Sequence, residues 1–301
     1  MKARTWSAAV ILATGFVLLL YNGGSRFTMG LMLKPMADDL NWSRATLSLT
    51  VTVFMVVSAV VLPFIGRLVD RYNIRTVLLT SLLLSSVSIA LMSVIRTPLQ
   101  AIMLYGVLFG LATAGTSVAP IGVMVSRWFP ERLGMANSIA ISGMGIGQLV
   151  IILLLTSQFE VLGWRGSFLA LAVLGLVLIV PLMLLKIPLT APGEVAGQKG
   201  SPAGSGPQWT VSASLREPKL WYLIVIYAIC GFQDFFVATH VVAYARDQGV
   251  GAVLSGNLYA LMGLVGLAGV LAAGLASDRF GPVLPTLVCF VLRIVVFGVV
   301  M

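Results

Sequence analysis

Long apolar runs alternate with short polar turns along all 301 residues of the chain. Nine runs have about 20 residues or more, the length at which a helix crosses the hydrocarbon core of a bilayer. None alternates with the period of two that a strand of a membrane barrel requires. The pattern predicts an all-α, polytopic membrane protein with spans at 8–31, 45–66, 75–95, 99–126, 135–158, 164–186, 220–244, 252–275 and 283–301.

Two of the polar turns carry nearly the same residues. The first reads Gly66-Arg-Leu-Val-Asp70-Arg71, and the second, 208 positions later, reads Gly274-Leu-Ala-Ser-Asp278-Arg279. Each turn separates two long apolar runs. Internal repeats of this size in a membrane protein are typical of transporters built from two related helix bundles.

The longest polar interval separates the first six apolar runs from the last three. It is rich in Gly and Pro between Ile187 and Pro218, a composition that does not pack and acts as a flexible linker. We therefore predict a six-helix N-terminal bundle at 1–187, a cytoplasmic linker at 188–218 and a partial C-terminal bundle at 219–301.

The composition also indicates a membrane protein. Hydrophobic residues make up 59% of the chain and charged residues only 10%, whereas soluble domains carry about 25% charged residues. If the N-terminus is cytoplasmic, twelve Lys and Arg residues lie on the cytoplasmic side and five on the other. This bias predicts a cytoplasmic N-terminus in an inner or plasma membrane. It also explains the net charge of +9 through contact with lipid, without a nucleic-acid partner.

Residues for catalysis or metal binding are not grouped at any recognisable spacing. Cys230 and Cys289 lie inside apolar runs, and His240 has no neighbouring Cys or His at ligand spacing. The series Gly143, Gly145, Gly147 has no preceding strand, so it is not a dinucleotide fingerprint. Gly106, Gly110 and Ala114 at spacing four, and Gly263, Gly266 and Gly269 at spacing three, are better explained by close helix packing. We expect no enzyme activity, no metal and no cofactor.

These features resemble the major facilitator superfamily, whose members have two six-helix bundles, a cytoplasmic central loop and this charged turn between spans two and three. Within it, three short motifs look like the monocarboxylate and oxalate/formate transporter branch: Asn41-Trp42-Ser43-Arg44-Ala45, Arg127-Trp128-Phe129 and Gly163-Trp164-Arg165-Gly166. The resemblance implies secondary active transport by alternating access. Because members normally have twelve spans, it also implies a C-terminally truncated chain with three of the six spans of its second half.

A related class, the drug antiporters of the superfamily, fits less well. Those proteins carry an Arg in span four, four residues before a Gly, and a Gly-Pro signature in span five. Here Gly106 lies four residues before Gly110, and span five contains no Pro.

Three charged residues lie inside the apolar runs, where an ionised side chain is costly and usually functional. Arg26 in span one and Asp234 in span seven are 208 positions apart, the same shift that relates the two turns. The resemblance implies that these spans face each other across a central cavity, so we expect the two side chains to approach and to pair. Arg293, in span nine, is expected to lie on a peripheral helix, and the sequence suggests no role for it.

Our hypothesis is that Arg26 holds the carboxylate of a substrate, while Asp234 accepts a proton or releases Arg26 when substrate arrives. The alternatives are that Arg26 extends to the lipid headgroups and that Asp234 is a static or neutral buried acid. Further polar residues are weaker candidates for the cavity lining, because such side chains often only join helices by hydrogen bonds. They are Asn22, Gln148, Gln233, Asn257, Tyr259 and, as a proton relay, His240.

The two turns are candidate cytoplasmic gates by the same resemblance. Their residues are Gly66, Asp70, Arg71, Gly274, Asp278 and Arg279. An Asp at such a turn can cap the N-terminus of a neighbouring helix, where the helix dipole favours a negative charge. The alternative is a charged loop that only sets the topology.

Together these expectations describe a secondary transporter of a small organic anion, a monocarboxylate or dicarboxylate. Its energy would come from proton symport or from exchange against a counter-anion, as in an antiporter. A drug or metabolite exporter of the same superfamily is the second interpretation. The third is a truncated remnant that does not transport.

Overall fold

The computed structural model describes residues 2–129, 132–184 and 216–300, and in these residues it contains helices and no strand. Each predicted span corresponds to one helix, which confirms the all-α fold. The helices are α1 (Lys2–Leu40), α2 (Arg44–Arg71), α3 (Ile74–Met92), α4 (Pro98–Trp128), α5 (Leu133–Ser157), α6 (Phe159–Leu184), α7 (Pro218–Asp247), α8 (Ala252–Phe280) and α9 (Val283–Val300).

Helices α1 to α6 and α8 are long and apolar enough to cross a membrane. The chain is therefore a multi-pass membrane protein. The described apolar part of α9, Val283–Val295, is shorter, and the crossings by α7 and α9 stay predictions. Most of the predicted linker at 188–218 lies outside the described residues, so the proposed domain boundaries also stay predictions.

Short polar residues at the turns begin and end the helices. Asn41 has a positive φ of 53° and ends α1, and Ser43 then caps α2 by accepting a hydrogen bond from the Thr46 amide at 3.1 Å. Side-chain caps of this kind satisfy amides that have no partner inside the helix. Two members of the Asn41–Ala45 motif therefore form the reversal between α1 and α2.

The third sequence motif forms a second turn on the same face. Gly163 has a φ of 58°, which breaks the helical path of α6 near its beginning and which glycine adopts without strain. The next two side chains both reach the end of α1: Trp164 Nε1 donates to Asp39 Oδ2 at 3.0 Å, and Arg165 donates to the same oxygen at 2.7 Å. The motif therefore joins α6 to α1.

Helix α5 lies at the centre, between α1 on one side and α8 on the other. Gly143 and Gly147 face α1, where an added Cβ would overlap the carbonyl oxygens of Phe16 and Leu20. Gly145 faces α8, where a Cβ would lie 2.6 Å from the carbonyl oxygen of Gly263. The alternating glycines of α5 thus allow close helix contact on both of its sides.

Candidate functional site

A cavity of about 370 Å³ lies where α1, α5, α7, α8 and α9 meet. It brings together all three charged residues that the sequence places inside apolar runs. Its lining consists of Arg26, Phe27, Met144, Gln148, Gly231, Gln233, Asp234, Val237, Tyr259, Met262 and Arg293. Residues from the first six helices and from the last three therefore build one site.

Arg26 lies between this cavity and a second, larger one of about 780 Å³. Its guanidinium Cζ is 5.8 Å from the centre of the Phe54 ring, a cation–π distance. Its backbone carbonyl accepts a hydrogen bond from the Tyr105 hydroxyl at 3.1 Å. Arg26 therefore faces the protein interior and both cavities.

Tyr105 belongs to a π-helical segment of α4, Ile102–Phe109. Its ring packs against Phe54 at 5.4 Å and against Phe109 at 4.9 Å, measured between centroids. This aromatic cluster supports Arg26, and the sequence does not predict it. A π segment differs from an α-helix by the register of its hydrogen bonds, which the pattern of apolar residues does not reveal.

The predicted ion pair between Arg26 and Asp234 is wrong. Both side chains line the cavity, but the carboxylate of Asp234 accepts from Arg293 at 2.6 Å. The other terminal nitrogen of Arg293 lies 3.3 Å from both the Cys230 carbonyl oxygen and Gln233 Oε1. Two nitrogens of Arg293 thus bind three acceptors on α7.

Helix α9 packs mainly against α8 and is peripheral, as expected, but the expectation that it contributes nothing to the cavity wall is wrong. The long side chain of Arg293 crosses from α9 to α7, so the guanidinium forms part of the cavity lining. The sequence did contain a signal for this position, since three charges inside apolar runs, only one of them acidic, leave two possible basic partners for Asp234. The shift of 208 positions favoured Arg26 and obscured the alternative.

Gln148 and Tyr259 form the side of the cavity where α5 meets α8. Gln148 Nε2 donates to the backbone carbonyl of Tyr259 at 3.0 Å, and both side chains are buried. The Tyr259 ring packs edge-on against Phe27, with 6.1 Å between centroids. The hydroxyl of Tyr259 is fully buried and has no hydrogen-bond partner among the described residues.

The other polar candidates lie elsewhere. Asn22 lines the larger cavity, and its amide nitrogen donates to the Thr113 carbonyl at 3.2 Å and to Thr116 Oγ1 at 3.1 Å, which joins α1 to α4. His240 lines a separate pocket between α2 and α7, with its ring 5.2 Å from that of Phe236. Asn257 is absent from the linings of these three cavities. These positions place Asn22 and His240 outside the charged cavity.

The second charged turn makes the helix cap that the sequence predicts for it. The two carboxylate oxygens of Asp278 accept from the backbone amides of Gly134 at 2.9 Å and Met135 at 2.8 Å, in the first turn of α5. Gly274 is buried against this turn, where an added Cβ would overlap Ser138 and approach the Gly134 carbonyl oxygen to 3.0 Å. The end of α8 is thereby joined to the beginning of α5.

The first charged turn has a different environment. Gly66 is exposed, and an added Cβ would meet nothing within 4 Å among the described residues. Arg71 lies over the ring of Tyr72 at 5.9 Å, much as Arg279 lies over Phe280 at 5.4 Å. The side chain of Asp70 lies outside the described part of the chain.

A charged contact also joins the first six helices to the last three on the opposite face. Arg44, at the beginning of α2, donates through both terminal nitrogens to Asp247 at the end of α7, at 2.8 and 3.1 Å. The hydrogen bonds from Arg44 lower the pKa of Asp247, which lies beyond the predicted span 220–244. Contacts between the two groups of helices therefore exist at both faces.

Comparison with known proteins assigns the chain to a family. Residues 15–301 match the family model of the Major Facilitator Superfamily. The chain belongs to this superfamily. The match covers most of the chain and confirms the polytopic transporter fold.

Members of the superfamily that are similar to this chain include three named transporters. An uncharacterized MFS-type transporter of Bacillus subtilis, YcxA, is 24% identical over 90% of this chain and 65% of its own length. The oxalate:formate antiporter of Oxalobacter formigenes is 25% identical over 80% of this chain and 56% of its own. Monocarboxylate transporter 4 of Rattus norvegicus is 28% identical over 67% and 43%, respectively. The chain thus spans about two fifths to two thirds of the length of these relatives.

Proposed function

We propose that the protein is a secondary active transporter of a small organic anion. The observation that carries this proposal is the 370 Å³ cavity, which holds two guanidinium groups and one carboxylate between α1 and the last three helices. Basic side chains at membrane depth attract anions, and a protein in which they line a cavity can hold one away from water. The printed names of two relatives, which mention oxalate, formate and monocarboxylate, support the same class of substrate.

In this proposal Arg26 binds the carboxylate of the substrate beside Tyr259. Both side chains line the cavity, and the cluster of Phe54 and Tyr105 holds the Arg26 region in place. A guanidinium presents parallel donors that match the two oxygens of a carboxylate. Asp234 is the acidic group available for proton coupling, since it alone among the described lining residues is a carboxylate.

Alternating access requires that contacts at one face break while those at the other form. The Asp278 cap on α5 and the Arg44–Asp247 pair lie at opposite faces and both join the first six helices to the last three. We propose them as the gates of the transport cycle. The excess of Lys and Arg on the side of the N-terminus supports a cytoplasmic position for the Asp278 contact, in an inner or plasma membrane.

A second candidate function is export of an apolar metabolite or drug. The larger cavity of about 780 Å³ favours it, because its lining is mostly apolar and aromatic, with Phe54, Tyr227 and Phe232 among its residues. Arg26 borders this cavity too, so an amphiphilic anion would satisfy both descriptions.

Uptake by reconstituted protein tests the leading proposal. Radiolabelled formate, lactate and oxalate are offered to proteoliposomes with and without a proton gradient or internal counter-anion. We expect Arg26→Ala to weaken uptake by about 10- to 100-fold, since a charged hydrogen bond contributes about 1.5–3 kcal/mol. Arg26→Lys should retain part of the activity, because it keeps the charge.

Arg96→Ala is the matched control, since Arg96 is exposed in the turn between α3 and α4. It should transport like the unchanged protein. Unchanged uptake in Arg26→Ala would refute the role of Arg26, and uptake of apolar dyes without any anion uptake would favour the exporter.

A further inference from the structure

We propose that hydrogen bonds between α1 and α4 position Arg26, and that Tyr105 and Asn22 are the positioning residues that make them. This inference rests on the proposed function, in which Arg26 binds the substrate. All the contacts that carry it lie within the first six helices. Neither residue has to touch the substrate for this role, since each acts on it through Arg26.

The hydrogen bonds hold α1 at two points that are one helical turn apart. The Tyr105 hydroxyl donates to the Arg26 carbonyl at 3.1 Å. The amide nitrogen of Asn22 donates to the Thr113 carbonyl at 3.2 Å and to Thr116 Oγ1 at 3.1 Å. Because Asn22 and Arg26 are four residues apart, they lie on the same face of α1. Helix α4 therefore fixes both ends of the turn that carries Arg26.

Tyr105 also supports the charged end of Arg26. Its buried ring packs against Phe54 with 5.4 Å between centroids. The Phe54 ring in turn lies 5.8 Å from the guanidinium carbon of Arg26. One tyrosine thus bonds to the backbone of Arg26 and packs against the ring beside its charge. Since interiors are close-packed, a shift of Tyr105 would move the guanidinium relative to the cavities.

The π-helical segment Ile102–Phe109, which carries this tyrosine, is held by two neighbouring helices. Segments of this kind are rare and occur frequently at functional sites. Ser88 of α3 donates to the Leu104 carbonyl at 2.6 Å, inside the segment. Ser58 of α2 donates to the Gly110 carbonyl at 3.1 Å, directly after it. The position of the tyrosine is therefore fixed by α2 and α3 as well as by α1.

Two matched variants test the role of Tyr105, with radiolabelled formate, lactate and oxalate as probes in proteoliposomes. Tyr105→Phe keeps the ring and removes only the hydroxyl. We expect KM to rise about three- to tenfold at an unchanged kcat, because one hydrogen bond that positions a binding group is lost. Tyr21→Phe is the control and should leave KM unchanged. Tyr21 is equally buried, at 1% exposure, but it lies beside Gly175 of α6.

A double-mutant cycle separates positioning of Arg26 from general damage to the fold. Asn22→Leu removes the second contact with a side chain of similar size, and it should raise KM as Tyr105→Phe does. In an Arg26→Ala background no guanidinium remains to be positioned, so neither substitution should raise KM further. A merely structural role predicts the same additional loss in both backgrounds. Thermal unfolding in detergent measures the cost in stability separately.

The outcomes distinguish this inference from the function on which it rests. Absence of uptake in the unchanged protein, or an Arg26→Ala variant with normal uptake, would overturn both. A large loss in Arg26→Ala, together with an unchanged KM in Tyr105→Phe and Asn22→Leu, would overturn the inference alone. Additive losses in the Arg26→Ala background would do the same. A rise in KM that disappears in that background, with Tyr21→Phe unaffected, would support it.

Discussion

The two charged turns share their sequence, but they differ in what surrounds them. At the second turn Gly274 is buried against the first turn of α5, and Asp278 accepts two backbone hydrogen bonds from that helix. At the first turn Gly66 is exposed to open space among the described residues. The same motif therefore joins two helices only where the beginning of another helix lies against it.

The largest difference in stability between the two turns is expected from the matched variants Gly274→Val and Gly66→Val. A valine at Gly274 collides with Ser138 and with the backbone of α5, and overpacking of this kind costs about 1–3 kcal/mol. A valine at Gly66 meets no neighbour, and we expect little change there. Thermal unfolding in detergent measures both, and equal losses in the two variants would contradict the comparison.

A smaller difference is expected from Asp278→Asn. The amide keeps one acceptor oxygen but loses the charge, so the interaction with the beginning of α5 weakens by about 1 kcal/mol. We expect transport turnover to change while the affinity for substrate is kept. Kinetics of uptake separate the two quantities, and an unchanged rate would argue against a gate at this contact.

Asp70→Asn is the corresponding variant of the first turn. We predict that it reduces turnover more than binding, the result that a gating role requires. Comparison with Asp278→Asn then shows whether both copies act in the cycle. An unchanged rate for Asp70→Asn alone would restrict gating to the second copy.

The smallest effect on stability is expected when the pH is lowered, at the Arg44–Asp247 contact on the opposite face. Because Arg44 lowers the pKa of Asp247, the folded contact is fully present above the ordinary pKa of an Asp and is lost as the pH falls through the lowered value. Asp247→Asn should therefore flatten the pH dependence of unfolding at the acid end. A profile identical to that of the unchanged protein would indicate that this exposed pair adds no stability.

The helices could be predicted from the sequence because runs of about 20 apolar residues have few alternatives in a membrane. Arg26 and Asp234 were singled out for the same reason, and both line the cavity. The pairing of Asp234 could not be predicted, since the choice between Arg26 and Arg293 depends on how far α9 lies from α7. Repeat symmetry gave the wrong partner because Arg293 has no equivalent charge in the first half.

Short sequence motifs indicated the family, but the contacts that their residues make could not be predicted from the sequence. The residues of Gly163-Trp164-Arg165 indicated a family, but their joint contact with Asp39 requires the positive φ of Gly163. Glycines in the fourth and eighth runs indicated close packing, but the contacts of the α5 glycines were not predicted. That Gly145 faces α8 while Gly143 and Gly147 face α1 depends on which helices are neighbours.

The cap between Asp278 and α5 also bears on how the sequence can drift in evolution. Its donors are the backbone amides of Gly134 and Met135, which every residue except proline supplies. Met135 can therefore be exchanged without loss of a donor, whereas position 134 is restricted to glycine because even an alanine Cβ would overlap the Asp278 carboxylate and the Gly274 carbonyl oxygen. Tolerance to substitution in this contact is thus unequal: Asp278, Gly134 and Gly274 are restricted by its geometry, and Met135 is not.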